Sequence, residues 1–177
     1  MSAASSPPSL ETPRLILRPF ALDDADDVFA YSAEEYEEIR AVLPDFPQIT
    51  PGDTAAVLRH TLKRYGGGEF YDWAVTCREL GTRAIGGIGF EQDVPPRAKT
   101  AELGFVLRRD MWGKGIIPEA IEAVVSFGFA ALGLAEVAAY HMPGNEQSAR
   151  ALEKCSFRHT GREEHFGVVM ERWARAK

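Results

Sequence analysis

The stretch from residue 101 to residue 142 constrains this chain most. It reads as an apolar run "AELGFVL", a turn "RRDMWGKG", a helix-patterned run "IIPEAIEAVVSFGFAAL" and a second apolar run "EVAAYHM". That order predicts a strand, a glycine turn, a helix and a strand. A crossover helix of this length links parallel neighbours in a right-handed sense, so one parallel strand pair is expected here. Its limits are well marked. Pro118 suits the first turn, Glu119 favours the positive end of the dipole, and Ile121, Val124, Val125 and Leu132 recur at helical spacing before Gly133 ends it.

Around this unit the pattern predicts a strand in "RLILRPF" and a helix in "ALDDADDVFAYS" with Leu22, Val28 and Phe29 facing inward. "AEEYEEIRAVLPDFPQITPGD" holds three prolines and reads as a short helix and loop. "TAAVLRHTLKRY" resumes helical spacing through Val57, Leu58, Leu62 and Tyr65 until "GGGE" stops it. "FYDWAVTC" and "RAIGGIGF" form an antiparallel pair, with Gly81 supplying a positive φ in the loop. After residue 142 come a short helix in "NEQSARALEKC" and a hairpin turning at His165 to Gly167. The expected fold class is α/β (mixed α+β), a mixed antiparallel and parallel sheet of about six or seven strands flanked by helices.

A length of 177 residues with 45% hydrophobic content gives room for one core, burying roughly two thirds of the unfolded surface. We expect one domain over residues 11–177 behind a disordered leader at residues 1–10. The net charge is −6 and no basic run tracks a phosphate backbone, so nucleic acid is not an expected partner. Cys77 and Cys155 lack CxxC spacing, and His60, His159 and His165 are scattered. Neither a disulfide framework nor a metal site follows. No apolar run approaches the ~20 residues of a membrane span and no secretory pattern opens the chain, so a cytoplasmic protein away from membranes is expected.

The glycine turn carries chemistry. A helix N-terminus leaves four amide hydrogens unpaired and about half a positive charge, and it becomes an anion site when the backbone before it can be approached closely. Gly113 and Gly115 permit that approach, and Lys114 adds a mobile cation, which suits a phosphate or pyrophosphate. The same glycines also fit a turn that is merely tight. Neither GxGxxG nor GxxxxGK[ST] is present, so neither a dinucleotide fingerprint nor a Walker loop explains them.

"AELGFVL", "RRDMWGKGIIPEAI" and "LGLAEVAAYHMPGNEQSARALEKCSF", in this order, resemble the acetyl-CoA-binding core of the GNAT N-acetyltransferases. With "ETPRLILRPF" and "WAVTCRELGTRAIGGIGF" the resemblance spans residues 11–174 and is nearest to the branch that acetylates N-terminal amines of ribosomal proteins. It implies the GNAT fold and acetyl-CoA as co-substrate, with no metal. The pantetheine arm would lie near Leu107 and Arg108, and the pyrophosphate on the amides of Gly113, Lys114, Gly115, Ile116 and Ile117. An amide of Phe105 or Val106 would hold the thioester oxygen where two strands splay.

The resemblance further implies Glu102 as the base, acting through water; read from the residues alone, it is equally a carboxylate paired with a cross-strand arginine or facing solvent. Asn145 and Ser148 match family positions that contact the cofactor and its sulfur, while Asn145 alone also reads as an N-cap. No tyrosine acid occurs in "SARALEKC", which leaves proton delivery to Ser148, with Tyr140 and His141 ranked behind it. Two positions depart from the pattern. Asp110 stands where Gln or Arg is usual and must point away from a pyrophosphate or weaken its binding. Ser156 stands where a glycine ordinarily caps the helix in a left-handed conformation. Trp112 reads as a packing anchor and Cys155 as core.

Amine basicity bears on the acceptor. With reference pKa values near 10.4 for lysine and 7.7 to 8.0 for an α-amine, roughly a tenth of α-amines but under a thousandth of lysines are neutral at pH 7. The implied reaction is acetyl transfer to a primary amine, a protein or peptide α-amine first, by direct attack in a ternary complex. A small-molecule amine such as a polyamine or aminoglycoside, or a CoA-binding module without catalysis, are the alternatives. The acid-rich "EEYEEI" at residues 34–39 either draws a cationic acceptor or forms a solvated helix face. The last hairpin's edge suits a monomer or a homodimer.

Overall fold

Among the described residues one sheet of eight strands organises the chain, in the order β1-β2-β3-β4-β5-β6-β8-β7. The computed structural model describes residues 6–42, 49–165 and 167–177, with the side chains of residues 34–42 outside that description. The strands are β1 (Leu10–Glu11), β2 (Leu15–Arg18), β3 (Asp72–Cys77), β4 (Ala84–Phe90), β5 (Thr100–Leu107), β6 (Glu136–His141), β7 (Arg158–His165) and β8 (Val168–Ala176). The helices are α1 (Ala25–Val42), α2 (Pro51–Tyr65), α3 (Ile116–Phe127), which continues as a π turn to Leu132, and α4 (Glu146–Lys154). The expected six or seven strands become eight because Leu10, read as the end of the leader, and Glu11, read as the start of the domain, pair with Leu17 and Ile16. The buried Trp73 indole fastens the same segment by donating to the Pro8 carbonyl at 2.8 Å.

Strand alternation sends Leu15, Leu17, Trp73, Val75, Leu103 and Val137 to one face, where they pack with Ile121, Val124 and Val125 of α3 and Leu152 of α4. The other face is smaller: Ala74, Ala84 and Val106 meet Val28 and Tyr31 of α1 and Leu58 of α2. Helical spacing located α2 correctly but set its inward face one residue off. Thr54, Leu58, Thr61 and Tyr65 are buried, and Val57 is 56% exposed. Leu22 was also expected inside, yet it lies in a 3-10 turn and is 49% exposed. Asp24 takes the interior place, held by both terminal nitrogens of Arg18 at 2.8 and 2.6 Å and by the Ala21 amide at 2.8 Å. The segment expected as a short helix and loop instead extends α1 to Val42, and α2 opens on a capping box between Thr50 and Asp53.

The feature that positions the site is where the parallel ladder ends. β5 and β6 pair from Thr100↔Glu136 to Leu103↔Ala139 and no further. β5 then continues beside β4 as far as Leu107↔Gly86, while β6 continues beside β8 as far as His141↔Glu171. The sheet therefore forks, and a wedge opens between Gly104–Leu107 of one strand and Tyr140–His141 of the other.

Candidate active site

Register decides which amides face the wedge. The Arg108 amide donates to Ile85 and the Glu91 amide to Glu102, so even-numbered residues of β5 exchange their bonds with β4. The Phe105 and Leu107 backbone groups then face the wedge, whereas Val106, the other expected holder of the thioester oxygen, points its amide at β4. The Leu107 carbonyl accepts the Trp112 indole N–H at 2.7 Å. Trp112 is thus an anchor by hydrogen bond, 36% exposed, with the Arg109 guanidinium 5.7 Å above its ring. The Phe105 amide is left as the donor at the fork.

At the end of β5 the chain enters the glycine turn. Gly113 and Gly115 adopt φ of 74° and 72°, left-handed values that a Cβ strains. Gly115 caps α3, whose first backbone bond runs from Glu119 to Gly115 at 3.4 Å. Ile116 and Ile117 open α3, so their amides have no acceptor within the helix, and Pro118 has no N–H to satisfy. Arg14 fixes their direction: its guanidinium donates to the Lys114 carbonyl at 2.8 Å and the Gly115 carbonyl at 3.0 Å. Because N–H lies opposite C=O in each planar peptide, the Gly115 and Ile116 amides point away from Arg14 into the open. A Cβ at Gly113 would meet nothing within 4 Å, so the cradle has room for an anion.

Glu119 holds this clamp. Its carboxylate accepts from the Thr12 hydroxyl at 2.6 Å, the Arg14 amide at 3.0 Å and Arg14 Nε at 2.6 Å. Burial pushes its pKa up, but the Thr12 and Arg14 hydrogen bonds outweigh that, and the net shift is downward. Asp110 is answered likewise: Arg108 grips it at 2.6 and 2.9 Å, and that hydrogen bond lowers its pKa. The acid is neutralised before any anion arrives. Lys114 is exposed, with Nζ 3.6 Å from Met111 Sδ.

Glu102 stands on the face of β5 that bears α1 and α2, and its partner is neither arginine nor solvent. His165, 63 residues on, brings Nε2 to 2.8 Å from its carboxylate, and the imidazole stacks on Tyr140 with centroids 4.3 Å apart. The Tyr140 hydroxyl donates to Glu163 at 3.0 Å, and burial first of all raises its pKa. His141 is a closed unit. Trp173 donates to its Nε2 at 2.9 Å, so the ring hydrogen sits on Nδ1 and goes to the Met142 carbonyl at 2.8 Å. Asn145 caps α4 by accepting the Ser148 amide at 3.1 Å, which places the Ser148 hydroxyl on the first turn. Ser156 has φ of 61°, the left-handed cap expected of a glycine. Cys155 is core, 1% exposed, and burial pushes its thiol up to about 12.

Two cavities flank the fork on this face. One of about 290 Å³ lies under α1 and α2 and is lined by Tyr31, Thr61, Asp72, Glu91, Gly104 and Phe105. The other, about 270 Å³, is lined by Thr100, Glu102, Glu136, Tyr140 and Arg172. Asp72 and Glu91 were not anticipated from sequence. Burial first, then the Glu91 charge, raises the Asp72 carboxyl to about 7, and burial followed by the Glu102 charge raises Glu91. Nothing in the sequence ties Arg14, His165 or Glu91 to the residues they meet. Among the described residues no cluster of His, Cys, Asp or Glu could hold a metal, and no helix is long and apolar enough to cross a membrane. The side chains of "EEYEEI" lie outside the described residues.

A sheet that parts at its parallel pair, with the Phe105 amide facing the parting and an anion cradle at its mouth, is the arrangement that the resemblance to acetyl-CoA-dependent transferases implies. A family model described as an acetyltransferase (GNAT) domain matches residues 14–158, and the chain belongs to that family. A Bacillus subtilis (strain 168) protein, the uncharacterized N-acetyltransferase YoaA, is 33% identical over 164 residues, covering 87% of this chain and 85% of its own. Among solved structures, a putative ribosomal-protein-serine acetyltransferase from Vibrio cholerae has a TM-score of 0.77 at 18% identity, covering 98% of this chain and 100% of that one. The ribosomal L7/L12 α-N-protein acetyltransferase RimL in complex with coenzyme A has a TM-score of 0.75 at 15% identity, with coverage of 96% and 98%. The chain is an N-acetyltransferase.

Proposed function

We propose that this enzyme transfers acetyl from acetyl-CoA to a primary amine, a protein or peptide N-terminal α-amine first of all, by direct attack in a ternary complex in the cytoplasm. The observation that carries the reading is the fork: a free Phe105 amide stands beside a glycine cradle whose amides Arg14 aims outward. Gly113, Lys114, Gly115, Ile116 and Ile117 hold the pyrophosphate. Leu107 and Arg108 flank the pantetheine arm, and Asn145 and Ser148 meet it from α4.

In the reaction the thioester oxygen rests on the Phe105 amide. One preorganised donor of this kind is worth about 2.7–4 kcal/mol in the transition state. The acceptor ammonium gives up a proton to the carboxylates of this face, Glu102 among them. Its lone pair then forms the C–N bond, the C–S bond breaks, and the departing thiolate takes a proton that Ser148 is placed to relay from the amine. Support for an α-amine comes from its weaker basicity and from structural neighbours that act on ribosomal proteins. Asp72 and Glu91 in the larger cavity favour a compact polyamine as the second reading.

The test is coenzyme A release with peptides beginning in serine or alanine, with spermidine and with an aminoglycoside, followed by mass spectrometry of the products. Acetylation of a peptide α-amine is expected. Saturable coenzyme A binding with no release above background for any of these amines would refute the reading.

A further inference from the structure

Two carboxylates approach the fork on the same face of the sheet, but they open into different cavities. Glu102 lines the one shared with Glu136, Tyr140 and Arg172. Glu91 lines the one shared with Phe105, whose amide faces the wedge. We propose that Glu91 is the side chain that takes the acceptor's proton, and that Glu102, fixed by His165, is a positioning residue behind it. This rests on the acetyltransferase reading above and, within it, moves the acceptor's proton from Glu102 to Glu91.

Gly104 makes the arrangement possible. Its missing side chain leaves the surface of β5 bare, and the Glu91 carboxylate lies directly on it. A Cβ at residue 104 would overlap Glu91 Oε1 and stand 2.7 Å from Cδ. The acid is thereby held against the residue that precedes Phe105, on the wall of the cavity. Glu102 is differently placed, because one of its oxygens is engaged by His165 at 2.8 Å. Among the described residues no side chain is hydrogen-bonded to the Glu91 carboxylate.

The charges facing Glu91 come from four elements. Asp72 on β3 and Glu102 on β5 are like charges, while Arg64 on α2 and His165 on β7 oppose them. Arg64 is shared: it donates to Asp93 at 2.9 Å and lies 3.5 Å over the Phe70 ring. Burial of the carboxyl first, then the Glu102 charge, raises the Glu91 pKa, while the residue as a whole is exposed, so an incoming amine can reach a carboxylate that is more basic than usual. In the step itself the acceptor ammonium passes one proton to Glu91, and the freed lone pair bonds to the acetyl carbon. Coenzyme A leaves as thiolate and takes the second amine proton, and Glu91 returns the first to water through the cavity. The sum is ammonium plus thioester giving amide, thiol and one proton.

The experiment compares Glu91→Gln, Glu102→Gln and Gly104→Ala with wild type, using whichever serine peptide, alanine peptide or spermidine the wild type acetylates fastest. For Glu91→Gln we expect kcat/KM to fall about 100-fold or more, with an unchanged coenzyme A Kd by calorimetry and loss of the acid limb of the pH profile. Glu102→Gln keeps that limb but moves it to lower pH, because the neighbouring negative charge is gone. Gly104→Ala, whose methyl displaces a flexible carboxylate at little cost to folding, reproduces the Glu91→Gln loss. The proposal is overturned if Glu91→Gln stays within about threefold of wild type with the limb intact, or if the limb disappears in Glu102→Gln alone. A wild type inactive on every amine instead defeats the acetyltransferase reading, before any variant is compared.

Discussion

Replacing Ser156 by glycine gives a stabilised protein. α4 ends in a Schellman arrangement in which the Phe157 amide reaches the Leu152 carbonyl at 3.1 Å and the Ser156 amide reaches Glu153 at 3.0 Å. Both bonds require residue 156 to be left-handed, and it is, at φ 61°. A side chain in that conformation costs roughly 1–2 kcal/mol, which glycine avoids. Against this, glycine's extra freedom in the unfolded chain takes back about 0.4–1 kcal/mol. Ser156 is exposed, so losing its hydroxyl leaves no buried group unpaired. The balance is a gain of about 0.8 kcal/mol, or a rise in Tm of roughly 2–3 °C for a chain of this length. Scanning calorimetry and urea midpoints measure it. A Tm equal to or below wild type would falsify the argument that this cap is strained.

Gly115→Ala places a methyl on a left-handed residue, 3.5 Å from Arg14 Nη2; the strained cradle should bind coenzyme A about tenfold more weakly, read by calorimetry. Glu119→Gln loosens the clamp and lowers stability by about 1–2 kcal/mol at neutral pH, discounted for the exposure of Arg14. Because the folded carboxyl is depressed, that wild-type advantage is fully present above the unfolded value of about 4.3 and is lost as pH falls below it through the lower folded value, which denaturation at pH 7 and across the acid range will show. Asp72 is raised to about 7 by burial and then by Glu91. The wild type therefore loses stability as pH climbs from about 4 through 7, and Asp72→Asn gains on it at pH 8 but not at pH 4 in paired thermal melts.

Much of the frame was legible because its causes are local. The order of apolar runs marked seven of the eight strands. Gly113 and Gly115 marked a tight turn before a helix, and the resemblance to the family marked Ser156 as standing at a left-handed cap. The eighth strand was missed because two residues carry no periodicity, and Leu22 and Val57 were turned inward because a helical face can slip by one residue without disturbing its pattern.

The sequence by itself determined where the chain bends, where a helix presents unpaired amides and which strands run parallel, since these depend on the conformations of a few consecutive residues. Only the tertiary structure decided that Arg14 aims the amides of a turn 100 residues away, that His165 occupies Glu102, and that Glu91 rests on Gly104. Such pairs form across strands and turns far apart in the chain. Their distances follow from register and sheet geometry, which no local pattern encodes.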